Sequence, residues 1–163
     1  MIQHLEVPKL MAKLPLDDRG LPIPYFVPII DGQPDFRFQD AKKKNTCRKW
    51  MKCSICGNRL HDRSFWFICG PMGLQNSVAS DEAMHEDCAR FSIQHCPHLQ
   101  YLKAERRTAQ DSPLKAYSQL YAKPDKIYLV KADKVFFIDQ LHTRFRSVQV
   151  IPYKYENNRL TPA

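Results

Sequence analysis

Cys53-Ser-Ile-Cys56-Gly57 places two thiols three positions apart, with a glycine directly behind them. Such a pair is a redox couple or half of a metal site, depending on what else the chain offers. His85-Glu-Asp-Cys88 offers an imidazole and a thiol at the same spacing, after a gap of 28 residues. Zinc takes four N or S donors tetrahedrally, and closed sites commonly combine three thiolates with one imidazole. Gly57 lets the backbone turn tightly behind the first pair, so that amides can face the sulfurs. The second pair falls in the first turns of a predicted helix, where residues three apart share a face and terminal amides favour a thiolate. The expected site is therefore Cys53, Cys56, His85 and Cys88 around a structural zinc ion. A redox pair would open a helix after a strand, and a glycine after Cys56 does not suit that.

The remaining thiols and imidazoles carry weaker signals. Cys69 sits in an apolar strand and reads as a core thiol, and Cys47 as a buried face of a basic helix. His95, Cys96 and His98 are too close together to converge on one ion from a regular helix. His4, His61 and His142 read as solvated or satisfied side chains. His61, Asn76 and His85 also fit the loose spacing of HNH endonucleases, in which the first histidine activates water and the last binds a metal. Here His85 is already used by the zinc reading. Ala89 occupies the place where a zinc-stapled HNH protein carries its last histidine. His61 precedes the aromatic strand instead of ending it.

Around the ligands, the chain reads as α+β. Residues 14–40 alternate proline turns with short apolar runs, an extended segment with a hairpin or tight loop at Asp31-Gly32. A basic helix is predicted from Asp40 to Met51, capped by Asp40. SFWFICG predicts a strand, and with its return a β-hairpin from Ser64 to about Met72; LQNSVAS reads as loop. Ser80 or Asp81 is the expected cap of a helix that Pro97 stops. HLQYLKAERRTAQ reads as a resumed helix, and Ser112-Pro113 as the start of another over LKAYSQLYAK. IYLVKA, KVFFID and FRSVQVIPYKYE predict a three-stranded meander over about 126–155. Knuckle, hairpin and ligand-bearing helix together make a small treble-clef-like zinc domain with an N-terminal extension (1–110), followed by a helix and meander appendage (111–163).

The chain carries 25 Lys+Arg against 17 Asp+Glu, a net charge of +8, which points to polyanions or acidic proteins as partners. The first residues lack a secretory h-region, and IPYFVPII is short and broken by prolines. No membrane association and a cytoplasmic location are expected, and six cysteines then read as ligands and free thiols.

LPLDDRGLPIPYFV from Leu14, DGQPDFR from Asp31, CSICG, FICGPM from Phe67, HEDCA from His85 and CPHL from Cys96 form a linked set. Over about residues 14–99 the chain resembles a family of small, functionally uncharacterised proteins of bacterial and bacteriophage genomes. The resemblance implies the same pairing of Cys53 and Cys56 with His85 and Cys88. It implies no activity, and it does not extend past about Gln100.

Lys42, Lys43, Lys44, Arg48, Lys49 and Lys52 lead into the knuckle, and Arg59 and Arg63 follow it. Those residues are the expected nucleic-acid surface, with Trp50 or Trp66 available to stack on bases. Lys131, Lys134, Arg144 and Arg146 make a possible second basic surface. The expected function is thus a non-catalytic, zinc-stabilised basic protein that binds DNA or RNA. The alternative is a phage effector docking on an acidic host protein, in which VFFID and a free sheet edge would make the contact.

Overall fold

The computed structural model describes residues 5–36, 38–102 and 123–163. The expected helix 114–123 and the continuation of the chain past Leu102 fall largely or wholly on residues outside that range, as does His4. So does the boundary near residue 110.

The N-terminal segment begins with a single 3-10 turn at Lys9–Met11 and then runs extended. Strands β1 (Ile29–Ile30) and β2 (Gln33–Pro34) form a minimal ribbon. Asp31 and Gly32 both take positive φ, 51° and 77°, as a two-residue hairpin turn demands. Pro34 is tolerated because each strand of so small a ribbon keeps one free edge. Helix α1 (Ala41–Trp50) follows the predicted boundaries. The Asp40 carboxylate accepts hydrogen bonds from the Lys42 and Lys43 amides, and Met51 ends the helix in the left-handed region.

After the knuckle come β3 (Phe65–Cys69), α2 (Pro71–Asn76), β4 (Val78–Ala79), α3 (Glu86–His95) and α4 (Pro97–Gln100). The chain ends with β5 (Lys126–Phe137), β6 (Thr143–Glu156) and β7 (Arg159–Pro162). All pairings in the larger sheet are antiparallel, in the order β3-β5-β6-β4, with β7 also on β6. β4 lines the start of the β6 edge and β7 its end. The sheet is curled: Phe67 of β3 stacks on Phe145 of β6 at 5.1 Å although β5 runs between their strands.

Four features differ from the sequence expectation. β3 does not fold back as its own hairpin; it pairs with β5, from Phe65 opposite Ala132 to Cys69 opposite Tyr128. Phe65, Trp66 and Phe67 are all buried, on both faces of the strand, and a local hairpin would leave one face wet. Strands from both sides of the expected domain boundary therefore share one sheet and one core.

The meander keeps three strands with different limits. IYLVKA and KVFFID fuse into β5, because Asp133, which alone separates the two runs, is absorbed as a bulge. β7 is new: Asn157 and Asn158, with φ of 48° and 68°, turn the chain back onto β6. LQNSVAS holds the end of α2 and then β4. Gly73 is required there, since a Cβ would lie 2.9 Å from both the Cys69 Cβ and the Val78 carbonyl oxygen.

Finally, α3 starts at Glu86 and not at Ser80. The 82–85 stretch is held extended, with Met84 and Trp66 exchanging backbone hydrogen bonds of 2.9 and 3.0 Å. Among the described residues no helix is long and apolar enough to cross a membrane.

Glu82 anchors this extended stretch. Its carboxylate lies 2.7 Å from Arg48 Nε and 3.6 Å from Lys44 Nζ, and accepts from the Thr143 hydroxyl at 3.3 Å. Lys44 also donates to the carbonyls of Ser80 and Leu141, and Arg48 to that of Asp139. One buried carboxylate thereby joins α1 to the β5–β6 turn. Breaking a buried ion cluster by removing one partner typically costs about 3–5 kcal/mol. Glu82→Ala should lower stability by that order in urea unfolding monitored by circular dichroism, and Thr143→Val by less.

Candidate metal centre

The knuckle is built by the backbone. Lys52 and Arg59 form an antiparallel bridge, Cys53 N–H donates to the Asn58 carbonyl at 2.7 Å, and Gly57 N–H to the Cys53 carbonyl at 2.9 Å. Gly57 takes φ of 75°, and the Tyr25 ring lies 2.9 Å from where a Cβ would stand. Only glycine suits both the angle and the packing. The N-terminal segment braces this loop: Tyr25 and Phe26 amides donate to the Ile55 and Ser54 carbonyls.

The second half of the site is carried to the knuckle by the Glu82 stretch. Ser54 N–H donates to the Ala83 carbonyl at 3.0 Å and its hydroxyl to the Glu82 carbonyl at 3.1 Å. His85 is then the N-cap of α3 and Cys88 lies in its first turn. Cys53, Cys56, His85 and Cys88 are all buried, and their ligand atoms lie within 4.8 Å of one another. The four form a possible metal site. None of the six cysteines is in a disulfide.

The hydrogen bonds around the cluster are those a set of anionic sulfurs needs. His85 N–H points at Cys53 Sγ at 3.4 Å. His85 Nδ1 faces Cys56 Sγ at 3.3 Å while its Nε2 donates to the Arg59 carbonyl at 2.8 Å. The carbonyl thus fixes the tautomer and turns Nδ1 toward the sulfurs. Hydrogen bonds from the Cys53 and Cys88 thiols hold the Cys56 thiol well below its ordinary value. Hydrogen bonds to Cys53 and Cys56, with burial adding to them, push the Cys88 thiol up, and hydrogen bonds to the same two sulfurs raise His85 to about 10. Four donors sharing protons in a buried space are a set in which a cation can take the protons' place.

Among the described residues His95, Cys96 and His98 form no second cluster. His61 is exposed, with its ring 5.5 Å from that of His85. Asn76 ends α2, and both His85 ring nitrogens have partners in the cluster and in Arg59.

The eight cations of the expected nucleic-acid surface separate. Lys44 and Arg48 turn inward to Glu82, which helix periodicity alone could not assign. Lys43 is half-buried, with Nζ 5.2 Å from the Tyr25 ring centroid. Lys42, Lys49, Arg59 and Arg63 are exposed, and Lys52 is half-buried beside Arg59. Trp66 is 1% exposed and cannot reach a base, whereas Trp50 is 58% exposed. The buried Glu82 was missed from sequence; its only signal was an acid between a cap-like Ser-Asp and an apolar pair.

Comparison with family models, curated proteins and solved structures finds no match, so the resemblance read over residues 14–99 stands as an expectation.

Outside the cluster, burial pushes the Cys47 thiol up to about 12, with the nearby Cys53 and Glu82 adding to it, and burial pushes Cys69 up to about 11. Each pKa unit above the working pH cuts the reactive thiolate roughly tenfold. Iodoacetamide at pH 8 with peptide mass spectrometry should leave Cys47 unlabelled, and Cys69 nearly so, until denaturant is added.

Proposed function

We propose that this protein is a zinc-stapled basic module that binds nucleic acid. The donor set fits zinc: three sulfurs and one imidazole nitrogen, against tetrahedral arms of about 2.3 Å to sulfur and 2.0–2.1 Å to nitrogen. Four protein ligands leave no open position, so the ion acts as a staple and not as a reaction centre. The ligand order, a knuckle and then a helix N-terminus, is that of a treble clef, with the intervening hairpin replaced by pairing to β5. The resemblance to the bacterial and phage family is compatible with this reading.

The observation that carries the binding reading is Trp50. A large indole stands in solvent at the end of α1, with Lys49 Nζ 5.2 Å from its ring centroid. Lys52 and Arg59 lie side by side in the knuckle that follows. Cations would take phosphates and the indole a base face. The knuckle's shape depends on the ion, so loss of the metal should abolish binding together with folding.

The exposed Ile138 and Leu141 at the β5–β6 turn favour a second reading, an effector that docks on an acidic protein. Retention from lysate that survives nuclease treatment, together with no binding to nucleic acid, would select it.

Elemental analysis should return one zinc per chain. Cys53→Ser or His85→Ala should lose the metal and the cooperative thermal transition, as should treatment with a strong chelator. A metal-free protein that melts cooperatively would overturn the staple.

Fluorescence anisotropy should show binding that weakens steeply with salt. Lys49→Gln with Arg59→Gln should reduce the log–log salt slope by roughly two. Failure of duplex, single-stranded DNA and RNA probes at low salt would end the nucleic-acid reading.

A further inference from the structure

The β5–β6 ribbon carries a second aromatic that packing does not use. Phe136 is 55% exposed, although Val135 beside it is half-buried and Phe145 opposite Val135 is 3% exposed. Side chains alternate between faces along a strand, so the face holding Phe136 also holds Lys134. The register places Arg144 opposite Phe136 and Arg146 opposite Lys134. All four are exposed and share the outer face of the ribbon. Arg146 is paired with Asp133 at 2.5 Å, at the bulge beside this face. Neighbouring Phe137 is not equivalent: it points to the other face, with the Arg48 guanidinium 4.8 Å from its ring centroid.

One open aromatic face bordered by three cations has a definite complement. A purely apolar protein surface would have to desolvate Lys134 and Arg144 without compensation. A duplex offers phosphates but hides its base faces in the stack. An unpaired strand offers both, a base face and a phosphate on either side of it. Residues two apart on a strand lie roughly 7 Å apart and cross-strand partners roughly 5 Å, so all three cations reach phosphates flanking one stacked base.

We propose that Phe136, with Lys134, Arg144 and Arg146, is a stacking platform for single-stranded nucleic acid. The platform rests on the nucleic-acid reading above and adds strand state to it. It is separate from the metal site: no ligand or knuckle residue contributes. It uses Lys134, Arg144 and Arg146 of the second basic surface read from the sequence, and not Lys131.

The test measures binding of labelled oligo-dT, oligo-U and a mixed-sequence duplex of equal length at low salt, by anisotropy. The unaltered protein should prefer the unpaired strands. Phe136→Ala should weaken unpaired-strand binding roughly 5- to 150-fold, the range found when one stacking aromatic is removed, and leave duplex binding within about twofold. Phe136→Trp should retain binding and show quenching of the added indole. Because Phe136 is exposed, the melting temperature of Phe136→Ala should be unchanged, which separates the effect from misfolding.

If no probe binds, the whole nucleic-acid reading falls. If the unpaired strands bind but Phe136→Ala binds them equally well, or if duplex is preferred, the platform falls and the basic module stands. Should Phe136→Ala convert a dimer to a monomer in sedimentation, the face belongs to a second copy of the chain and the platform is overturned. A preference for oligo-dT over oligo-U, or the reverse, identifies which nucleic acid is taken.

Discussion

Three sulfurs and an imidazole nitrogen gathered in a dry space do not stay together by packing. Sulfur–sulfur proximity gains little dispersion energy, and any thiolate there needs compensation for the water it has lost. The knuckle and the α3 N-terminus supply part of that compensation through amides, and the Arg59 carbonyl does so indirectly by orienting His85. The remainder is what a bound cation would supply. The N-terminal segment, which has little regular structure of its own, leans on the knuckle through Tyr25 and Phe26.

A second polar contact works beside the first. Glu82 lies three positions before His85, and fixing its carboxylate between Lys44 and Arg48 also fixes the stretch that delivers the histidine. α1 therefore has two tasks. Its inward lysine and arginine neutralise a buried acid, and Lys42, Lys49 and Trp50 stand in solvent. A helix that looks uniformly basic in sequence is divided by which face meets Glu82.

The molecule then presents two aromatic-and-cation surfaces on rigid supports. Trp50 stands at the end of a capped helix just before the knuckle. Phe136 stands on β5 where β5, β6 and β4 lie side by side, with Phe145 buried on the opposite face. Rigid support matters, because an aromatic already held in place loses little entropy when a base stacks on it.

That Cys53, Cys56, His85 and Cys88 gather into one cluster was legible in the sequence because the information is local: two pairs at three-residue spacing, a glycine, and a helix start. The same holds for α1, whose cap and charge run are contiguous, and for the Asp31-Gly32 turn, whose backbone angles those residues favour. What tertiary structure decided is what depends on distant partners. β3 pairs with β5, whose Leu129, Val130 and Ala132 lie alongside it and are fully buried in the shared core, and no local pattern in SFWFICG names them. α3 begins at Glu86, and not at a good capping pair, because Trp66 and Ser54 take the backbone of Met84 and Ala83. Lys44 and Lys42 are chemically identical in the sequence. Only the fold, by placing Glu82 against one of them, makes the first a structural cation and leaves the second in solvent.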